Sequence, residues 1–222
     1  AGAMNAADVA FVQVKGPAPT PAAIAAAPEP PAFSAADVLM AAGRAASAFG
    51  VMRALGEPGA PGATEAAILA DRDIASGVAS VSGGIEVSRN EVVVLGRSEA
   101  FVGPLSIATR VMADALDLPA IAACCADLGL HPAPQLPADE AARVRAAFIK
   151  CEADRHGRVR GRPHTMLGDG DLNKERHIRG AVGAVAAAVL GDTALFVSGG
   201  AEHQGPDGGG IITIVAERDM AH

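Results

Sequence analysis

The chain carries two copies of a short motif, Val-Ser-Gly-Gly-x-Glu, at residues 81–86 and 197–202. Each serine belongs to an ordered set of a lysine, an arginine and the serine: Lys15, Arg44 and Ser82, then Lys150, Arg179 and Ser198. The interval from the lysine to the arginine is identical in the two sets. The recurrence indicates an internal duplication, in which one supersecondary unit is used more than once.

These residue types predict acyl chemistry on a small molecule rich in carbonyl groups. A serine is a weak nucleophile until a base removes its proton, and a lysine can be that base where burial lowers its pKa. The glycines after each serine leave backbone N–H groups free to approach an oxyanion, and arginine recognises pairs of oxygens. The alternative is structural, with the lysines and arginines as solvated charges and Ser-Gly-Gly as a tight turn. Recurrence of all three types in one order favours chemistry.

The glycine-rich loop over residues 201–210 is a second candidate site. Its carbonyl oxygens, the Gln204 amide and the Glu152 carboxylate are ligands that hard cations prefer, which predicts a structural Mg²⁺ or Ca²⁺ ion. The loop lacks the P-loop lysine, so no phosphate group and no organic cofactor are expected. His203 has no second histidine at ligand spacing, and we expect it to form hydrogen bonds. Cys124 and Cys125 lie in an apolar segment and are expected in the core.

The elements that must position these residues recur in one order. For the first copy we predict a strand over 8–14, a helix from Val38 to Leu55 capped by Ser34 and stopped by Gly56, and strands over 75–81 and 91–95. For the second copy we predict a strand over 146–151, a helix over 173–190, and strands over 194–197 and 211–215. Residues 105–116 and 119–128 are predicted to form two helices between the copies.

Each copy is therefore strand, helix, strand, strand, which predicts an α+β fold of two tandem repeats with helices on one face of a sheet. The predicted domains are residues 4–130 and 138–222, joined by a proline-rich linker. The interval from Arg44 to Ser82 is twice that from Arg179 to Ser198, so residues 57–73 are predicted to be a loop inserted in the first copy. The helix at 173–190 is expected to be capped by a polar cluster of His164, Asp169, Asp171 and Arg176.

Composition excludes several classes of protein. The net charge of −7 argues against a nucleic-acid partner, which would require a basic surface. No run of 18 apolar residues is present, so we expect no membrane span. Three cysteines cannot form a complete set of disulfides, and no secretory signal is visible. These features predict a cytoplasmic protein.

Two long motifs resemble those of a known family. The run Arg-Gly-Arg-Pro-His-Thr-Met-Leu-Gly-Asp-Gly-Asp-Leu-Asn-Lys-Glu-Arg-His-Ile-Arg at 160–179, with Phe-Val-Ser-Gly-Gly-Ala-Glu-His-Gln-Gly-Pro-Asp-Gly-Gly-Gly at 196–210, resembles the carboxyl-terminal repeat of the cyanuric acid hydrolase/barbiturase family of ring-opening amidohydrolases. Phe-Val-Gln-Val-Lys at 11–15 and Gly-Arg-Ala-Ala-Ser-Ala-Phe-Gly-Val at 43–51 resemble its middle repeat.

The resemblance implies specific roles for the repeated residues. Members of that family place three repeats around a pseudo-threefold axis, and each repeat gives one Lys-Ser pair and one arginine to a central site. Carried over by motif, Ser82 attacks a ring carbonyl and Lys15 is its base. The groups implied to hold the ring oxygens are Arg44, Gly83, Arg179, Ser198 and Gly199, with Lys150 supporting Ser198. The implied ligands of a structural cation are Glu152, Ala201, Gln204, Gly205, Pro206 and Gly209.

The resemblance also implies that a first repeat is absent from this sequence. Three explanations stay open: the chain is truncated, a separate subunit carries the first repeat, or identical chains form an oligomer that completes the ring. A native start at Met4 would favour the separate subunit. The leading hypothesis is a component of a cyclic amide hydrolase that opens a cyanurate- or barbiturate-like ring by Ser-Lys attack. The alternatives are the same scaffold acting on another cyclic imide, and a non-catalytic subunit that supports a partner's active site.

Overall fold

The computed structural model describes residues 4–29, 33, 35–98, 100, 102–164 and 173–218. The strands are β1 (Val9–Pro17), β2 (Ala79–Gly84), β3 (Glu91–Gly96), β4 (Leu105–Met112), β5 (Val144–Cys151), β6 (Arg158–Val159), β7 (Arg162–Pro163), β8 (Phe196–Ser198) and β9 (Gly210–Glu217). The α-helices are α1 (Pro21–Ala25), α2 (Ala36–Leu55), α3 (Leu118–Ala126), α4 (Ala138–Ala141) and α5 (Lys174–Leu190). The predicted α+β fold with two tandem repeats is confirmed.

The first of the two repeats in this chain, which resembles the middle repeat of the family, is called the first repeat from here on. It is a sheet of three strands in the order β2-β1-β3, covered by α2. β1 and β2 run parallel with α2 as their crossover, and β3 is antiparallel to β1. Alternate residues of the strands face the helix, as expected for a sheet with one covered face. The small core of this repeat includes Val12, Val14, Ala48, Val51 and Val81.

The second repeat has a sheet of four strands in the order β4-β9-β5-β8, covered by α5 and α3. Its core is larger than that of the first repeat because a second helix lies on the sheet. Ile121 and Cys124 of α3 pack with Val182 of α5 and with Ile212 and Ile214 of β9. Cys125 and Cys151 are also buried. The expected core position of Cys124 and Cys125 is therefore confirmed.

The two repeats share their strand register as well as their element order. Lys15 pairs with Glu91 on β3, and Lys150 pairs with Ile211 on β9. The register shifts at one place in each sheet, between Val9 and Phe11 and between Val144 and Ala146. These two places have the same offset in the chain as the two lysines. The duplication therefore extends to a β-bulge, a feature that alters strand twist and is retained as part of a fold.

The prediction of a helix over residues 105–116 is wrong. Residues 105–112 form β4, which pairs with β9 along its whole length. The side chains of Ile107, Thr109 and Val111 are β-branched and favour a strand, and the Thr109 and Thr213 hydroxyls lie 2.8 Å apart across the pair. The second predicted helix is present as α3, which begins after Asp117, whose side chain accepts a hydrogen bond from the Ala120 N–H.

The strand β4 and the helix α3 pack on the second sheet, although both fall inside the predicted domain range 4–130. The sheets instead divide the chain between Gly96 and Leu105. The two sheets also touch each other: the rings of Phe11 and Phe148 stack with centroids 5.2 Å apart, and the Thr109 hydroxyl donates to the Ala10 carbonyl at 2.6 Å. The repeats therefore share an apolar contact.

The helix ends follow the predicted signals where the chain is described. Gly56 and Gly191 both adopt left-handed backbone conformations, with φ of 66° and 75°, directly after α2 and α5. Asn173 caps α5 by accepting hydrogen bonds from the N–H groups of Glu175 and Arg176. α2 begins after Ala35, which makes no side-chain cap. Ser34, Asp169 and Asp171 lie outside the described residues, so their predicted capping roles stay predictions.

The residues Val38–Leu55 of α2 are long and apolar enough to cross a membrane by length and composition. Such a helix is weak evidence for a membrane span, because the core helices of globular proteins have the same composition. Here Ala45, Ala48 and Met52 are fully buried within the protein.

Candidate functional site

A lysine and a serine lie opposite each other on neighbouring parallel strands in each repeat. Lys15 pairs with Ser82 across β1 and β2, and Lys150 pairs with Ser198 across β5 and β8. Both serines are at or near the carboxyl end of their strand, where the following glycines turn the chain. The helical crossover makes these strands parallel, which puts each serine beside its lysine.

Lys150 and Ser198 form a closed pair. The Lys150 Nζ lies 3.0 Å from the Ser198 Oγ, and Lys150 is only 1% exposed. Burial lowers the pKa of Lys150 to about 7, and the positive charge of the nearby Arg44 contributes to this lowering. A lysine of this kind is neutral in a large fraction of molecules near pH 7, so it can accept a proton from a hydroxyl.

Lys15 makes a different contact from that of Lys150. Its Nζ forms a salt bridge of 2.7 Å with Glu86 and donates to the Gly83 carbonyl at 3.3 Å. Hydrogen bonding by Lys15 lowers the pKa of the exposed Glu86 carboxyl. The register places Lys15 opposite Ser82, but in this structure its amine is directed at Glu86.

Ser82 lines a pocket of about 470 Å³ between α2 and the ends of β1 and β2. Arg44 and Gly83 line the same pocket, together with Gly16, Met40 and Gly43. The structure thus brings three of the predicted site residues of the first repeat, Arg44, Ser82 and Gly83, around one space.

Arg44 is held by the second repeat. Its Nε and Nη2 each donate a hydrogen bond of 2.7 Å to the Glu202 carboxylate, a bidentate and largely buried pair. Burial opposes ionisation of Glu202, but the hydrogen bonds and charge of Arg44 outweigh it and lower the pKa of that carboxyl. The guanidinium also lies against Gly200, where an added Cβ would be 2.9 Å from Arg44 Cζ. Gly200 has φ of 64°, so glycine satisfies both the close approach and the left-handed backbone.

Arg179 occupies the matching place on α5, on an exposed face of that helix. Its Nε donates to the Glu175 carbonyl at 3.1 Å. Gly199 packs against the start of the same helix, where an added Cβ would be 2.9 Å from the Glu175 carbonyl oxygen. Among the described contacts, nothing links Arg179 to the Ser82 pocket, so its predicted role in binding stays a prediction.

Five of the six predicted cation ligands lie on the loop over residues 201–210, and the sixth, Glu152, hydrogen-bonds to it, but several of their oxygens have protein partners. The Gly209 and Pro206 carbonyls accept from the N–H groups of Glu152 and Gly209, and the Gln204 Oε1 accepts from the Val81 N–H at 2.6 Å. The Glu152 carboxylate forms a salt bridge of 3.1 Å with Arg72. Burial raises the pKa of Glu152 to about 7, against the opposing effect of Arg72. A guanidinium therefore lies where the carboxylate is predicted to bind a metal ion, and the cation stays a prediction.

The loop inserted in the first repeat lies over this cation loop. His203 accepts from the Leu69 N–H at 3.0 Å through Nε2, and its Nδ1 lies 2.6 Å from the Ile74 carbonyl. The Ser76 N–H donates to the His203 carbonyl at 2.9 Å. The expectation that His203 forms hydrogen bonds is confirmed, and its ring also packs on Phe49. Together with Arg72, these contacts fasten the first repeat to the second.

The sequence and the fold are similar to those of known proteins. The family model described as amidohydrolase ring-opening protein, Amido_AtzD_TrzD, matches residues 1–217. The chain belongs to this family. Cyanuric acid amidohydrolases from Azorhizobium caulinodans and Enterobacter cloacae are 44% and 42% identical to this chain, over 99% and 97% of its length. The match spans only 60% and 59% of those relatives.

Solved structures show the same relationship. The crystal structure of cyanuric acid hydrolase from A. caulinodans superposes on this chain with a TM-score of 0.88 at 42% identity, covering 99% of this chain and 61% of that one. A cyanuric acid hydrolase described as an evolutionary innovation by structural concatenation gives a TM-score of 0.87 at 40% identity, covering 98% and 59%. The chain thus spans only part of the length of the relatives it matches.

Three contacts around the candidate site were not predicted from the sequence: Arg44 with Glu202, Lys15 with Glu86, and Glu152 with Arg72. Glu202 is part of the repeated motif, shortly after Ser198, and this repetition is a signal that the glutamate has a role. Glu86 stands at the same place after Ser82 and is equally visible. Arg72 has no such signal, because it lies in the insertion that only one repeat carries.

Proposed function

We propose that this chain supplies two of the three repeats of a cyclic amide hydrolase, which opens a cyanurate- or barbiturate-like ring by Ser-Lys attack. The observation that carries the proposal is the register: each serine is directly opposite a lysine, and one pair is closed at 3.0 Å. Membership of the ring-opening amidohydrolase family supports the reaction class.

The proposed nucleophile is Ser82 and the proposed base is Lys15. Acting as a base, the Lys15 amine takes the hydroxyl proton while the serine Oγ bonds to a ring carbonyl carbon, whose oxygen becomes an oxyanion. Collapse of this adduct breaks the ring C–N bond, and the lysine gives its proton to the leaving nitrogen. Water then cleaves the serine ester, which restores the hydroxyl and releases a ring-opened acid.

The remaining predicted residues hold the ring in this proposal. The backbone N–H groups of the Ser-Gly-Gly turns donate to the oxyanion, and the guanidinium groups bind ring carbonyl oxygens. The binding set is Arg44, Gly83, Arg179, Ser198 and Gly199, with Lys150 supporting Ser198. The pocket that Ser82, Arg44 and Gly83 line supports Ser82 as the residue that meets the substrate.

The rival assignment makes Ser198 the nucleophile and Lys150 its base. It is favoured by the closed contact between the two side chains and by the pKa of Lys150, which is about 7. Two variants separate the assignments, because loss of a nucleophile removes the covalent route whereas loss of an orienting group only weakens positioning. Ser82→Ala should abolish ring opening and Ser198→Ala should leave a measurable residue of it. Equal loss from both variants would contradict the assignment of roles.

A structural Mg²⁺ or Ca²⁺ ion is proposed at the loop over residues 201–210. The donors would be the Glu152 carboxylate, the Gln204 amide oxygen and loop carbonyls, which suit a hard cation. The proposed ligand residues are Glu152, Ala201, Gln204, Gly205, Pro206 and Gly209. Such an ion would have to displace Arg72 from Glu152. Its role would be to brace the loop behind Ser198.

The whole activity is proposed to require a third repeat, from an upstream part of the polypeptide, a separate subunit or an identical chain, in the cytoplasm. Ring opening of cyanurate and barbiturate should be assayed with the chain alone and with the adjoining coding sequence. The chain alone should be inactive or nearly so, since an open centre admits water and weakens each electrostatic contact. Ser47→Ala, which alters another hydroxyl of the same pocket, is the control for the serine variants. Full activity of the monomer would contradict the requirement for a third repeat. No activity in any assembly would favour the non-catalytic alternative.

A further inference from the structure

One contact recurs at the two Ser-Gly-Gly turns: the residue one helical turn before each arginine packs on the glycine that follows each serine. On α2 this residue is Met40, whose Cγ would be 3.6 Å from a Cβ added to Gly83. On α5 it is Glu175, whose Cβ would be 3.2 Å from a Cβ added to Gly199. The duplication therefore puts a thioether beside one proposed oxyanion donor and a carboxylate side chain beside the other.

Met40 adds no charge to the Ser82 turn. It lines the same pocket as Ser82 and Gly83, and 36% of its surface is exposed. An apolar neighbour leaves the backbone N–H groups of the turn free to attract an oxyanion, and it lowers the local dielectric in which they act. The carboxylate of the same motif copy, Glu86, is neutralised by its salt bridge of 2.7 Å with Lys15.

The negative charge of Glu175 reaches the reacting atoms of the second repeat. Burial lowers the pKa of Lys150 to about 7, and the charge of Glu175 opposes that lowering. The Lys150 Nζ is 3.0 Å from the Ser198 Oγ, so the same field acts where an oxyanion would form. A carboxylate that stabilises a positive charge at this place destabilises a negative one.

The cations around Glu175 are engaged by other groups. Arg44 is 3.8 Å from the Glu175 carboxylate, but it donates two hydrogen bonds of 2.7 Å to Glu202. Arg179 donates to the backbone carbonyl of Glu175 at 3.1 Å. The Glu175 side chain is 47% exposed, so it stays ionised at neutral pH and presents its charge to the turn.

We propose that Met40 and Glu175 decide which of the two serines attacks. Met40 permits an oxyanion at the Ser82 turn, and Glu175 opposes one at the Ser198 turn. The closed contact of Ser198 with Lys150 favours removal of its proton, but the carboxylate opposes the oxyanion that must follow. This inference rests on the proposed function, in which two Ser-Lys pairs are present and one serine is the nucleophile.

The test compares two pairs of side chains that differ in charge and little in shape. Met40→Glu is compared with Met40→Gln, and the parent chain, which has Glu175, is compared with Glu175→Gln. Each chain is treated with an alkyl fluorophosphonate. The serine Oγ bonds to phosphorus, the P–F bond breaks, fluoride leaves and the hydroxyl proton passes to the lysine. The phosphoryl oxygen gains negative charge during this step, so the reaction reports how well each turn tolerates an oxyanion.

Peptide mass spectrometry gives separate labelling rates for the two serines. We expect Ser82 to react about tenfold more slowly in Met40→Glu than in Met40→Gln, with equal rates at Ser198. We expect Ser198 to react about tenfold faster in Glu175→Gln than in the parent, with equal rates at Ser82. The rates are measured at pH 9, above the pKa of Lys150, so that its amine is neutral in every chain and the difference reports repulsion of the oxyanion.

Equal rates within both pairs, or labelling of neither serine in any chain, would overturn the proposal. A difference within one pair alone would overturn the role of the residue in the other pair. A purely structural role of either side chain would change the melting temperature and not the ratio of the two labelling rates. Ring opening is assayed separately, so an assembly that opens no ring would contradict the proposed function while the labelling rates still decide this inference.

Discussion

Arg44 of the first repeat and Glu202 of the second form a bidentate ion pair with two hydrogen bonds of 2.7 Å. The pair joins residues that are 158 positions apart in the chain, and it fixes the guanidinium at the edge of the Ser82 pocket. Glu202 thus positions Arg44. The glutamate of the second motif copy therefore contacts the arginine of the first repeat.

Replacing Glu202 with glutamine should lower both stability and activity. The substitution leaves the buried Arg44 charge with only the Glu175 carboxylate, which is 3.8 Å away and about half exposed. Breaking a buried pair costs about 3 kcal/mol. We expect a lower melting temperature and, in the active assembly, a loss in kcat that exceeds the change in KM. Glu86→Gln at the same motif position is the control for stability, because that carboxylate is exposed. Equal melting temperatures for the two variants would contradict the role of Glu202.

Replacing Glu86 with glutamine should free Lys15 for Ser82. The carboxylate holds the Lys15 amine at 2.7 Å. Without it the amine keeps its hydrogen bond to the carbonyl of Gly83, the residue next to Ser82, and Ser82 is opposite Lys15 on β2. We therefore expect faster labelling of Ser82 by a serine-directed acylating reagent, measured by mass spectrometry of the labelled peptide. The double variant Lys15→Met, Glu86→Gln should lose the gain. If the double variant labels as fast as Glu86→Gln, Lys15 is not the base.

Glu152 provides the test of the cation. Glu152→Gln should lower thermal stability more than it changes the chemical step, because the carboxylate braces the loop behind Ser198 whether its partner is Arg72 or a metal ion. A bound ion adds stability that depends on its concentration, so calcium or magnesium should raise the melting temperature of the parent chain and not of the variant. An unchanged melting temperature of the metal-free parent on adding either ion would contradict the cation.

Lys150 should make stability depend on pH. Its pKa is about 7 in the folded protein and 10.5 as the ordinary value, so between these values the unfolded chain binds more protons. Stability contributed through Lys150 therefore rises with pH across this interval. The parent should gain melting temperature relative to Lys150→Met as the pH is raised from neutrality toward the ordinary lysine pKa. Lys174→Met, at an exposed lysine, is the control, and an equal slope in both variants would remove Lys150 as the cause.

Local patterns predicted most of the elements, because strand alternation and helix stops depend on neighbouring residues. One lysine–serine pair in each repeat was implied by the resemblance to the family. The same patterns failed for β4, whose strand state depends on β9, at the far end of the described chain. They also failed for Arg44, whose partner Glu202 becomes visible only when two repeats pack together. Lys15 shows a further limit: its pairing with Ser82 was implied by the resemblance, but its contact with Glu86 depends on which charges surround it.

The inserted loop of the first repeat, with the residue that follows it, contacts the second repeat through Leu69, Arg72 and Ile74. This contact makes the two copies non-interchangeable. A duplicated protein begins with equivalent parts, and any order of them would assemble equally well. Here the inserted loop belongs to one copy, and the residues that it contacts belong to the other. If the two repeats were exchanged along the chain, the inserted loop would no longer face the loop that it contacts. The order of the copies is therefore fixed by this contact and not by their shared fold.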